Sequence, residues 1–271
     1  MKRHIGYILL LCWPLLALMQ DGNPWKPLPK HFVRGEYLKY RAYFGIFPVG
    51  HGTWKVQPNI IQIHDRPTFQ VDVVGKTGGL VDLVAAVDDR WVSYVDTVSL
   101  LPHLAVRNLQ EGNYRKIDFT EFFHEEGVIK YKDMNLDSGT FKPIKEYTME
   151  DITYGMISGY LYFRSLDFSR LAVGDTVTIK AFLEDTFYDL QVICYKREVI
   201  EVRAGTFKAI AFRPVMPENT IFEGEDAVLA WISDDQNKIP LRVEARMFIG
   251  HAGIELTEYQ NLKYPPALVD E

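Results

Sequence analysis

The stretch IPLRVEARM, residues 239–247, decides how the fold is read. Ile239, Leu241, Val243 and Ala245 alternate with Pro240, Arg242, Glu244 and Arg246, a period of two that sets one face against a core and the other in water. That is a half-exposed strand of an antiparallel sheet. Just before it, DDQNK around Asp235 supplies a tight turn, and Ala204-Gly205 does the same inside EVIEVRAGTFKAIAFRP (198–214). Both read as hairpins. Outward from this stretch, runs rich in Val, Ile, Thr, Tyr and Phe recur between Gly, Asn and Asp punctuation. Strands are expected at 36–47, 50–57, 69–75, 91–98, 115–123, 127–132, 176–183, 187–202, 206–213, 227–233, 239–249 and 253–259. So many short strands rarely stay flat, so the expected fold class is mainly β, a strongly curved sheet or open barrel of antiparallel strands. No fixed-period repeat supports a solenoid or propeller.

One segment breaks the rhythm. TMEDITYGMISGYLYFRS (148–165) places Ile152, Met156, Tyr160 and Phe163 three and four apart, with Thr148 as N-cap and Glu150 and Asp151 in the first turn. One amphipathic helix is expected there, packed on the sheet. Gly155 and Gly159 weaken it by about 1 kcal/mol each relative to Ala, so either packing supports it or the glycines admit a close-lying strand. A weaker helical turn is expected over Leu80–Ala86.

Of the 271 residues, 47% are apolar and 24% charged, which excludes a disordered chain, and the length suffices for a core without disulfides or metals. Acidic residues exceed basic ones by 36 to 30, and no basic run offers a footprint for a phosphate backbone. Nucleic acid is not an expected partner.

The N-terminus MKRHIGYILLLCWPLLALMQ has Lys2 and Arg3 before an apolar run from Ile5 to Met19, the layout of a secretory signal peptide. The run is shorter than the roughly 20 residues of a membrane-spanning helix, and Pro14 and the following DGNP favour cleavage, so no span is expected after removal of the signal. No A-x-A site occurs near Ala17, which leaves an uncleaved anchor as the alternative. Leu11 before Cys12 argues against a lipid-anchored cysteine. Without the signal, Cys194 is the one remaining cysteine, in the apolar run LQVIC, and reads as a buried inert thiol. The expected organisation is a signal over 1–20, an extended lead-in over 21–31, one β-rich domain over 32–262 and a tail over 263–271. The address is periplasmic or outer-membrane-associated.

Motifs for chemistry are weak. Gly75-Lys76-Thr77 matches the end of a P-loop, but Gln70 stands where its first glycine belongs and VDVV is strand-like, so no nucleotide site is expected. His31, His51, His64, His103, His124 and His251 lack metal-ligand spacing, and no metal or other cofactor is expected. Asp88-Asp89 and Asp234-Asp235 read as turn caps. There is no G-x-S-x-G, and Ser93, Ser158 and Ser233 read as structural, so no catalytic residue is assigned. The remaining anomaly is aromatic. Tyr154, Tyr160, Tyr162 and Phe163 crowd the expected helix, and Tyr37, Tyr40, Tyr43, Phe44 and Phe47 the first strand.

Several phrases together resemble the bacterial family known as domain of unknown function 3108: FVRGEYLKY (32–40), DDRWVSYVDTVSLLPH (88–103), DITYGMISGYLYFRSLDF (151–168), AVGD (172–175), VIEVRAGTFKAIAFRP (199–214) and WISDDQNKIPLRVEARMFIG (231–250). The resemblance spans about residues 32–262. It implies an exported, mostly β protein of a Gram-negative bacterium and brings no catalytic residues. The expected function is a non-enzymatic cell-envelope protein that binds an apolar or envelope-derived ligand in the concavity of its sheet, with Tyr160, Phe163, Tyr43 and Trp54 as lining residues. The alternatives are an assembly module contacting an envelope protein, and a hydrolase of envelope polymers using Asp88 and Asp234.

Overall fold

The computed structural model describes residues 24–81, 86–215, 227–247 and 250–269, so the expected signal segment lies outside the described residues. The first half of the chain forms β1 (Tyr37–Phe44), β2 (Phe47–Ile63), β3 (Arg66–Thr77), β4 (Asp88–Asp96), β5 (Pro102–Glu111), β6 (Tyr114–Phe123), β7 (Val128–Asn135), β8 (Thr140–Phe141) and β9 (Lys145–Thr148). Helix α1 (Met156–Ser165) follows. Then come β10 (Thr176–Leu183), β11 (Thr186–Val202), β12 (Gly205–Pro214), β13 (Val228–Ser233), β14 (Pro240–Met247) and β15 (Gly250–Gln260). The expected turn at Leu80–Ala86 is a single 3-10 turn over Gly79–Val81, with residues 82–85 outside the described set. Gly75, Lys76 and Thr77 belong to β3, and Lys76 pairs with Asp88.

All fifteen strands join one antiparallel sheet, in the order β10 through β15, then β1 through β8, with β9 also on β7. The sheet is not closed. It curls until β10 faces β6, β7 and β9 across a seam, where Phe182 of β10 packs on Phe122, Ile129 and Tyr131. Lys145 of β9 reaches Asp185, on the β10–β11 turn, at 2.6 Å. Register shifts between Ala42 and Tyr43 in β1, and between Val56 and Ile60 in β2, supply local bending. At Gly50 the strands come so close that a Cβ would lie 2.1 Å from the Lys76 carbonyl oxygen.

The helix starts later than the sequence suggests. Met149 still donates to the Gly127 carbonyl beside β7, the chain bends at 150–151, and Tyr154 then bridges β10, its N–H donating to the Lys180 carbonyl and the Phe182 N–H donating to the Tyr154 carbonyl. These bonds cover part of an edge that would otherwise be open, which outweighs the helix propensity of MEDI. Gly155 is therefore the N-cap in place of Thr148, and the Ser158 hydroxyl accepts the Gly155 N–H at 2.9 Å. Ile157 and Leu161 pack towards Trp54, Val71 and Val95. Phe163 packs instead towards Phe212, Ile179 and Ile232. The helix thus fills the inside of the curl.

Arg164 closes one end. Its guanidinium donates to both Glu36 carboxylate oxygens at 2.7 and 3.0 Å and to the backbone carbonyls of His31 and Asn237. Lys238 from the β13–β14 turn donates to the carbonyls of Arg164 and Leu166, capping the helix C-terminus. The β1–β2, β5–β6 and β10–β11 turns lie at the opposite end, which we call the mouth.

Candidate functional site

The strand registers put two rows of side chains on the inner face of β4, β5 and β6. Ser93 faces Ala105, which faces Thr120; one step towards the mouth, Trp91 faces Arg107, which faces Asp118. The first row is made of three small residues, and Gly155 lies over it. A hollow of about 30 Å³ results, room for about one water, opening to solvent past Met156, Leu183 and Glu184. Ser93 is 2% exposed, and its hydroxyl has no hydrogen-bond partner. Leaving such a group unpaired costs about 1–3 kcal/mol, so the hollow is a place where a polar atom is wanted.

Arg107 is 5% exposed. Its Nε and Nη2 donate to Asp118 at 3.0 and 2.6 Å, and its Nη1 donates to Glu184 at 2.5 Å. Its guanidinium also lies 5.7 Å from the Trp91 ring. Burial opposes the positive charge, but Asp118 and then Glu184 outweigh it and hold the guanidinium charged. The hydrogen bond from Arg107 in turn pulls the Glu184 carboxyl below its ordinary pKa. Neither Arg107 nor Glu184 stands out in the sequence, because β5 was not among the expected strands and Glu184 falls in the turn expected between 183 and 187. The available signal was HLAVRNLQ itself, where Ala105, Arg107 and Leu109 alternate with Leu104, Val106 and Asn108.

The four aromatic residues singled out from sequence do not share one pocket. Trp54 and Tyr160 meet edge to face at 5.6 Å inside the curl, and the Tyr160 hydroxyl donates to the Lys238 carbonyl. Phe163 is buried against Phe168 and Phe212. Tyr43 sits apart, on the outer face, over Gly253 and donating to Glu244 at 2.8 Å. Asp88 is paired with Lys76 at the mouth, whereas Asp234 is paired with Arg197 in the β13–β14 turn, so these two carboxylates do not converge. Cys194 is buried, and burial raises its pKa.

A second polar cluster lies away from the mouth. The rings of His64 and His103 are 5.7 Å apart, those of His103 and His124 6.2 Å, and Trp25 stacks on His103. Both ring nitrogens of His103 lack a hydrogen bond, with Asp96 Oδ2 3.8 Å away. Among the described residues no group of His, Cys, Asp and Glu is arranged to hold a metal.

Among the described residues, sheet, internal helix and seam together define a curled-sheet β protein with a small polar hollow at the seam. The chain belongs to the family described as protein of unknown function DUF3108, which it matches over residues 39–257. Among solved structures it is similar to a beta-barrel-like protein of domain of unknown function DUF1849 from Brucella abortus. That likeness has a TM-score of 0.57 at 9% identity and covers 87% of this chain and 100% of that one. It is also similar to a protein with YmcC-like fold from Bacteroides fragilis, with TM-score 0.33 and 9% identity over 86% of this chain and 99% of that one. No curated protein matches the chain.

Proposed function

We propose that this is an exported cell-envelope protein, periplasmic or outer-membrane-associated, that works by binding and takes an apolar, envelope-derived ligand. The N-terminal basic start and apolar run support export. The observation that carries the binding reading is the hollow at the seam, with a buried unpaired hydroxyl at its base and apolar Trp91, Met156 and Leu183 along its sides. The proposed ligand therefore lies at the opening of this hollow, which admits only its polar tip, while Trp54, Tyr160 and Phe163 serve the core behind it. The test is mass spectrometry of the intact protein from its native envelope fraction, under native and then denaturing conditions. A co-purifying lipid-like mass, lost on denaturation, is the expected result. A bare chain overturns the ligand reading.

A second reading, an assembly module that docks on an envelope protein, is favoured by the β1–β2 turn. Ile46 and Phe47 there are 83% and 67% exposed. Crosslinking in intact envelopes, with and without Phe47→Ser, tests it; loss of a specific crosslinked partner in the variant is the expected result on this reading.

A further inference from the structure

The seam already holds a carboxylate, supplied by the chain itself. Glu184 sits on the two-residue β10–β11 turn, and half of its side chain is exposed. Its Oε1 nevertheless contacts a guanidinium that is almost wholly buried. The two partners of Arg107 differ in kind. Asp118 faces it from the neighbouring strand, is itself buried, and takes the Nε/Nη2 edge in a two-point pair. Glu184 takes only Nη1, from a tether that solvent reaches. The Glu184 carboxylate is half exposed and gives up little when it returns to water, so another carboxylate that pairs Nη1 can take its place.

What surrounds Nη1 suits a replacement of the same chemistry. The unpaired Ser93 hydroxyl lines the same hollow. So do Gly155, Met156 and Ile157, the N-terminal end of α1, whose positive dipole end favours an anion. Trp91, Met156, Phe182 and Leu183 add apolar surface on the way out, and Met156 is 44% exposed at the lip. A cation would face Arg107, and a neutral alcohol could accept from Nη1 or Ser93 but would bring no charge to replace that of Glu184.

We infer that the seam is a subsite for the carboxylate end of an amphipathic ligand, with Arg107 Nη1 and Ser93 Oγ as its donors and Glu184 as the internal carboxylate that it displaces. The inference deepens the ligand-binding reading and rests on it. The test is calorimetric titration of the full chain with decanoate, decan-1-ol and decyltrimethylammonium, each below its aggregation concentration. Decanoate is expected to bind roughly tenfold more tightly than the alcohol, and the cation most weakly. Glu184→Gln removes the competing charge. It is expected to tighten decanoate binding several-fold, by about 3 to 10 times, while the alcohol is unaffected. Ser93→Ala is expected to weaken decanoate. Because Glu184→Gln predicts a gain, loss of folding cannot imitate it. Equal affinities for decanoate and decanol, or decanoate binding that Glu184→Gln leaves unchanged or weakens, would overturn the carboxylate subsite and leave the apolar-ligand reading standing. Failure of all three to bind would overturn both.

Discussion

Arg164 and Glu36 are both fully buried, and neither charge has water to turn to. Removing one partner strands the other, so Arg164→Met is expected to cost about 3–5 kcal/mol in urea unfolding, and adding Glu36→Gln to recover part of that loss. If the single variant unfolds at the wild-type midpoint, the pair is not closing that end of the curl. His124 carries a pH dependence. Burial pushes its pKa down to about 4 from an ordinary value of 6.5, against the Pro102 carbonyl that accepts from its Nε2. The unfolded chain therefore gains a proton between pH 6.5 and 4 that the folded protein refuses, so stability is fully present above that window and falls as pH drops through it. Between pH 7 and 5 this histidine accounts for about 2 kcal/mol. His124→Asn should flatten the fall by that amount, read from unfolding midpoints at each pH; a slope as steep as that of the wild type would assign the effect elsewhere. His103, His64 and Asp96 face the same ring, so the variant must be compared with the wild type at each pH.

At the scale of elements, the alternation in 239–247 is realised as β14, and the hairpins around Asp235 and Ala204-Gly205 both form. Asp235 makes its turn by accepting from the N–H groups of Asn237 and Lys238. β5 was illegible for a physical reason. Its inner face carries His103 and Arg107, both buried, so the hydrophobic period that marks a strand is broken where the chemistry lies. The helix was legible in kind but not in extent, since Thr148 and Met149 pair beside β7 and Tyr154 bridges the edge of β10. Gly159 poses a question that the structure answers. A Cβ there would meet Tyr154 Cβ at 3.5 Å and Ile179 Cγ2 at 3.6 Å, ordinary contact distances. Gly159→Ala is accordingly expected to stabilise the protein, by about 0.5–1 kcal/mol in thermal or denaturant unfolding, through helix propensity alone. A loss greater than 1 kcal/mol would mean that the β10 edge needs that space.

Across the whole molecule, composition and strand rhythm reveal a curved antiparallel sheet, but not where the curl stops. That depends on side chains far apart in sequence, chiefly Phe182 against Phe122, Ile129 and Tyr131. Phe182→Ala should cost about 3–5 kcal/mol. It should also speed amide exchange in β9 and β10 more than in β1 and β2, because it unpins the seam; uniform acceleration would contradict this. The aromatic excess was visible, yet composition does not separate a ligand wall from a core, and Tyr160 shows why. Its ring joins two core clusters while its hydroxyl is taken by the backbone of the β13–β14 turn.

The sheet order has a further consequence. Apart from the β8–β9 edge, a chain that began at β10 and ran to β15, then on through β1, would trace the sheet from neighbour to neighbour without a skip. The natural sequence is a circular permutation of a simple meander, with α1 as the strap between its two ends. Among the described strands, the pairing of β1 with β15 joins distant parts of the chain, whereas the others join near neighbours in sequence. Lys263 already donates to the Lys30 carbonyl beside that pairing, so the two ends to be spliced lie together. During folding β1 therefore waits with one edge unpaired until β15 arrives, and a permutant opened in the loop before β10 would remove that wait. Such a chain should fold faster to the same sheet, because its strand pairings have become local.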